Sequence, residues 1–82
     1  MTARRQHFHS VDPSRNRARF YRLTECTTLF GESVLRLEYG RIGTDLLKSR
    51  EEVFTDGFAR ALRFDELVKL RGRRGYRLVH AA

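Results

Sequence analysis

The spacing of apolar residues along this chain changes once, at Thr55-Asp56, and that change limits what the chain can fold into. Before it, Ser33 to Ile42 alternates, with Leu35, Leu37, Tyr39 and Arg41 on one face, the period of a half-buried strand. After it, Phe58, Ala61, Phe64, Leu67, Val68 and the stem of Arg71 recur at helical spacing over Gly57 to Arg71. Strands followed by one helix predict an α+β domain, a small antiparallel sheet packed against one long helix in the C-terminal half.

The remaining segments fit this plan. Gln6 to Val11 reads as a short strand ended by Asp12-Pro13-Ser14, with a turn at 12–16. Arg17 to Thr24 is a second strand, with Tyr21 and Leu23 on one face and Phe20 and Arg22 on the other. Leu29-Phe30-Gly31-Glu32 connects it to Ser33–Ile42, and Gly43-Thr44-Asp45 turns the chain into Leu46–Phe54, a poorer strand through Leu47, Ser49, Glu51 and Val53. Connections this short join antiparallel neighbours, because a parallel pair needs a crossover of about a dozen residues or more. Thr55-Asp56 offers the helix N-cap, and Gly72 and Gly75 are expected to stop the helix. Tyr76 to His80 then returns as a terminal strand or extended tail. Leu62 and Leu70 project off the apolar stripe.

Eighty-two residues make one domain, residues 1–82, with 1–6 expected to be flexible and Arg4 and Arg5 on a frayed end. One cysteine, Cys26, cannot form an internal disulfide, and no apolar run nears the roughly 18 residues of a membrane span. The basic start Met1 to Arg5 is followed by Gln6, His7 and His9 rather than a signal peptide's apolar stretch. The expected location is therefore cytoplasmic, and nucleoid-associated if the chain binds DNA.

The net charge of +7 is unevenly placed. Residues 1–22 carry +5, residues 23–68 carry −3, and residues 69–82 carry +5, which favours a localised surface for a polyanion over dispersed solubilising charge. Fifteen of the seventeen cations are Arg, so a coding bias toward Arg competes as an explanation of the total.

Within this frame Tyr39-Gly40-Arg41 combines a flat ring, which can stack on a base or sugar, with a guanidinium that can fork onto phosphate. Arg41 lies beyond the apolar run, so phosphate contact explains it better than packing does. Tyr39 shares its face with Leu35 and Leu37, so stacking and a core role stand about even. Gly40 and Gly43 fit turn geometry as well as close ligand approach. Arg71, Arg73 and Arg74, with Lys69 and Arg77, place more cations at the helix end than the helix dipole needs, and extend the track for a polyanion.

Other constellations carry less. His7 and His9 share a strand face, and His80 nears them if the last strand pairs with the first, but no metal-ligand spacing is present and no metal or cofactor is expected. Cys26 reads as a small apolar filler rather than a nucleophile, and Glu51 and Glu52 point to opposite faces and cannot act together. No catalytic residue, small-molecule substrate or enzyme activity is expected.

The ordered motifs closely resemble those of the WGR domain, in its bacterial form, over nearly the whole sequence. They are Val11-Asp12-Pro13-Ser14-Arg15-Asn16, Arg19-Phe20-Tyr21-Arg22-Leu23, Leu29-Phe30-Gly31, Leu35 to Thr44, and a helix running into Arg71 and Arg74-Gly75-Tyr76. The same module occurs in eukaryotic DNA-damage-activated poly(ADP-ribose) polymerases. There its Trp packs on a terminal sugar, its Arg contacts the backbone, and it relays DNA binding toward a catalytic domain. The resemblance implies a DNA-binding module at Tyr39 and Arg41, without the enzyme activity. Two departures stand out. Tyr39 replaces the motif Trp, and Asp45-Leu46-Leu47 replaces the usual Gly and Gln segment.

The combined expectation is a non-enzymatic module that binds DNA ends, nicks or single-stranded segments by backbone contact and stacking, with RNA left open. The alternative is a protein-interaction module that binds a partner through its sheet face or through Leu62 and Leu70.

Overall fold

The computed structural model describes residues 4–45 and 47–82. Its elements are strands β1 (Arg5–Asp12), β2 (Arg17–Thr27), β3 (Ser33–Arg41) and β4 (Leu47–Phe54), helix α1 (Gly57–Arg73) and strand β5 (Arg77–Ala81). The strands form one antiparallel sheet in the order β4-β3-β2-β1-β5, and α1 lies on one face. This is the α+β architecture that the change of period predicts. The terminal segment is a strand rather than a tail. It pairs His80 with His7, with a bulge between His7 and Phe8, and Arg5 and Ala82 exchange backbone hydrogen bonds. Among the described residues, no helix is long and apolar enough to cross a membrane.

Local chemistry sets the boundaries. Asp12 caps the single 3-10 turn Pro13–Arg15 by accepting from the Ser14 N–H, and Asn16 ends it in the left-handed conformation. Asp56 caps α1 by accepting from the Ala59 N–H at 2.8 Å. Gly72, expected as a stop, lies inside the helix, and Gly75 alone ends it at φ +84°. The Gly75 and Tyr76 N–H groups reach back to the Gly72 and Arg71 carbonyls, the double bond of a Schellman turn.

The core lies between sheet and helix: Phe8, Tyr21, Leu23, Leu35 and Leu37 meet Phe64 and Leu67. The alternation in β2 and β3 falls as the sequence indicates. In β4 the face carrying Leu47 and Val53 is the open one, both side chains being exposed, while Arg50 and Glu52 stand opposite Leu37 and Leu35 on the helix side. Glu51 and Glu52 take opposite faces, Glu51 pairing with Arg36 and Glu52 with Arg63.

The helix is turned differently from the expected stripe. Arg60, Phe64 and Leu67 are buried, Phe58 is exposed, and Leu70 packs against the core rather than projecting free; Leu62 is exposed. The cause is Glu25, buried in β2 opposite Leu35. Its carboxylate holds Arg60 at 3.4 Å and Arg4 at 3.1 Å, and the Arg60 Nη1 donates to the Cys26 carbonyl at 2.6 Å. The expectation of a frayed Arg4 is corrected by the same cluster. Arg4 also pairs with Asp65 at 2.7 Å and lies 4.2 Å above the Phe64 ring, while Arg5 is inside β1. Cys26 is half-buried, with its Sγ 3.9 Å from the Thr24 carbonyl.

The open face carries a short relay. Arg22 Nε donates to His7 Nδ1 at 3.2 Å, which puts the His7 proton on Nε2, aimed at His9 Nε2 at 3.0 Å. Phe20 stacks parallel to His7. Burial, and then the charge of Arg22 and the neighbouring His9, Arg5 and His80, hold His7 below the usual imidazole range.

Two outcomes are expected. Glu25→Ala strands the buried Arg60 and lowers the unfolding free energy by about 3–5 kcal/mol in urea titrations. Because folding depresses the His7 pKa, its contribution to stability is complete above about pH 6.5 and is lost as pH falls below that value. Thermal unfolding of the parent should therefore decline from pH 7 to pH 5 more steeply than that of His7→Phe.

Candidate nucleic-acid interface

The ladder of β2, β3 and β4 brings distant residues into one row. Tyr21 stands opposite Tyr39, Tyr39 opposite Lys48, and Arg19 opposite Arg41. All five point to the helix side of the sheet by the alternation that buries Leu23 and Leu37. The helix does not reach over this end. Its last turn sets Arg71 above Tyr21, 4.3 Å from the ring centre, and the Schellman turn folds Tyr76 back against Arg71 at 5.3 Å. The result is an open groove of about 820 Å³ with a floor of Tyr21, Tyr39 and Tyr76. Its rim holds Arg19, Arg41, Lys48, Arg50 and Arg71, and Phe20, Gly40 and Leu47 complete the lining.

The groove is lined by cations without acids, neither Asp nor Glu contributing to it. Arg50 is held by Glu52 at 3.3 Å, but Arg19, Arg41, Lys48 and Arg71 make no ion pair among the described residues. Elsewhere Arg22, Arg36, Arg60 and Arg63 are each matched by a carboxylate, Arg63 pairing with both Glu52 and Glu66, whereas Arg5, Arg17, Lys69, Arg73, Arg74 and Arg77 make no ion pair among the described residues. The Arg71 Nε is buried without a hydrogen-bond partner, and the guanidinium lies against the faces of Tyr21 and Tyr76. Burial raises the Tyr21 phenol above its ordinary range, against the opposing pull of Arg71, and keeps it neutral.

Arg41 is oriented from outside the strand. Its Nη1 donates to the Asn16 carbonyl at 3.1 Å and its Nη2 to Asn16 Oδ1 at 3.0 Å. The left-handed Asn16 therefore works at a distance of 25 residues as a bracket for the guanidinium, a role no local pattern in the sequence announces. Tyr39 stands at the junction of core and groove. It packs against the core, stacks on Tyr21 with ring centres 5.9 Å apart, and also lines the groove.

Of the residues singled out from the sequence, the fold brings Tyr39, Gly40, Arg41 and Arg71 together in the groove and leaves Lys69, Arg73, Arg74 and Arg77 outside its lining. Lys69 and Arg73 are exposed on α1. Arg74 lines a smaller recess with Arg17 and Arg15, where Arg17 donates to the Arg74 carbonyl at 3.3 Å and to Ser10 Oγ at 2.7 Å. Arg77 stands opposite His9, on the open face. Sequence reasoning passed over Lys48, Arg50, Tyr21 and Tyr76 as site residues. The register of the β3–β4 hairpin, once fixed, would have found Lys48 opposite Tyr39. In the segment that departs from the motif, Asp45 is exposed and does not line the groove, Leu47 does, and Leu46 lies outside the described residues.

An aromatic floor with an uncompensated cationic rim suits a ligand that presents flat apolar rings and negative charge together, which is the chemistry of a nucleotide strand. No curated protein and no solved structure matches the chain. The WGR domain family model matches residues 4–82, and the chain belongs to that family, whose domains are generally nucleic-acid-binding modules with no catalytic activity of their own.

Proposed function

We propose that this domain binds DNA at ends, nicks or single-stranded segments, through backbone contacts and stacking and without reading base sequence. The observation that carries the reading is the groove in which Tyr21, Tyr39 and Tyr76 form the floor and Arg19, Arg41, Lys48 and Arg71 stand unpaired among the described residues. Aromatic faces reach a base or sugar only where the duplex stack is interrupted, so an aromatic floor favours ends and single strands over intact duplex. The rim is cationic and lacks Asn, Gln, Asp and Glu, the side chains that read adenine and cytosine edges, and its Arg and Lys groups are assigned to phosphate, a contact that positions the strand without specifying it. In this scheme Arg41 holds the backbone from the bracket of Asn16, Arg71 adds a second phosphate contact from between Tyr21 and Tyr76, and Tyr39 offers the ring surface that Tyr21 leaves open. Lys69, Arg73, Arg74 and Arg77 extend the positive field around the groove rather than touching the stacked nucleotide.

Binding should be strongly salt-dependent. Four phosphates neutralised by Arg19, Arg41, Lys48 and Arg71 give a slope of log K on log salt of about −3 to −4, and Arg41→Ala should reduce that slope by about 1. Tyr39→Ala should weaken binding to ends and single strands by about 1–3 kcal/mol with little effect on the slope. Arg36→Ala, on the open face beside Glu51, serves as the control and should change neither. The measurement is fluorescence anisotropy with intact, nicked, blunt-ended and single-stranded DNA at two salt concentrations. The reading fails if the Tyr39→Ala, Arg41→Ala double variant, shown folded by circular dichroism, binds broken DNA as tightly as the parent.

A further inference from the structure

The end of the molecule away from the groove presents the opposite surface. There the β2–β3 turn is fixed by hydrogen bonds from Thr28 N to the Glu32 carbonyl, from Gly31 N to the Thr28 carbonyl, and from Glu32 N to Thr28 Oγ1, all between 3.0 and 3.1 Å. This ordered turn holds out Leu29 and Phe30, which are 103% and 91% exposed. Phe58 is exposed at the same end, because Arg60, two residues further along α1, reaches the carbonyl of Cys26 just before the turn. The cations here, Arg36, Arg60 and Arg63, are all matched by carboxylates. Glu32 and Asp56, by contrast, make no ion pair among the described residues. The tip is thus apolar with a negative border, whereas the groove has an aromatic floor with a positive border and no acid. β3 runs from one to the other, Ser33 beside the turn and Arg41 on the groove, in a molecule 45 Å long.

From this complementarity of charge and polarity we infer that the Leu29-Phe30 tip of one copy docks in the groove of a second copy. The two patches differ, so the contact is head-to-tail, and every open assembly leaves one tip and one groove free at its ends. Two side chains and their border fall well short of the roughly 800 Å² per partner of a stable complex, so association is weak and appears only at high protein concentration. The opposed charges make it weaken as salt rises. The tip uses the groove assigned above to DNA, so on that reading strand and tip exclude one another.

Complementation between two variants of the full chain tests the docking. Leu29→Ser, Phe30→Ser removes the tip and keeps the groove; Arg41→Glu, Lys48→Glu inverts the groove rim and keeps the tip. Circular dichroism establishes that both are folded. In sedimentation velocity at low salt, the parent's sedimentation coefficient should rise with concentration, each variant alone should stay monomeric, and their mixture should form dimers and nothing larger. A parent that remains monomeric at every concentration, a tip variant that associates as the parent does, or a mixture that does not pair overturns the proposal. Short single-stranded DNA added to the parent should return it to monomers. DNA that binds without dissolving the assemblies also overturns the docking, whereas variants that pair as expected in a protein that binds no DNA sustain it and remove only the DNA reading.

Discussion

A single stripe of α1 meets the sheet, and it has an arginine at each end. Arg60 opens the stripe and Arg71 closes it, with Phe64 and Leu67 between them on Leu23, Leu35 and Leu37. Both guanidiniums lie against the sheet, where a bare charge is costly, and the fold treats them differently. Arg60 is met by Glu25, a buried carboxylate that also draws in Arg4, so that end is closed, neutral and fixed. Arg71 is met by Tyr21 and Tyr76, whose faces attract a cation without neutralising it. The rotation and position of the helix follow from the first contact, and the open positive groove follows from the second.

Length accounts for the rest of the site. A helix of 17 residues spans about 26 Å, while a strand of 11 residues spans about 36 Å, so one cannot cover the other. The hydrophobic core occupies the covered part. In the uncovered part the inward-facing positions of the same strands become Arg19, Arg41 and Lys48, and the rings of Tyr21 and Tyr39 belong to both regions. Groove and core are therefore successive stretches of one strand face, and the aromatic residues at their boundary belong to both. The Tyr39 ring stacks on Tyr21 as a core residue and also lines the groove.

Much of this could be read from residue order, and what could not shares a common cause. The alternation in β3, the caps at Asp12 and Asp56 and the change of period at Thr55-Asp56 are local signals, and the structure follows them. Arg41 could be singled out because it lies past an apolar run, and Arg71 because cations crowd the helix end beyond what the helix dipole needs. The inward turn of Arg60 could not, since its partner Glu25 is 35 residues away in sequence and an arginine in a helix ordinarily reads as a solvent residue. Nor could the separation of Arg77 from Arg71. They are six residues apart, but the Schellman turn and the pairing of β5 with β1 send them to opposite sides of the sheet. The pairing of Arg36 and Arg63 with acids, which leaves only part of the positive charge available, likewise depends on strand register and not on composition.

The turn that ends α1 has a consequence for the order in which the site is assembled. The Tyr76 N–H bonds the Arg71 carbonyl five residues back, a closure that costs little chain entropy, so this side of the groove forms together with the helix end itself. The floor is different, because Tyr21 and Tyr39 meet only after the β2–β3 hairpin has closed over 18 residues of separation. The groove is therefore complete only when both the local turn at the helix end and the long-range pairing of β2 with β3 are in place.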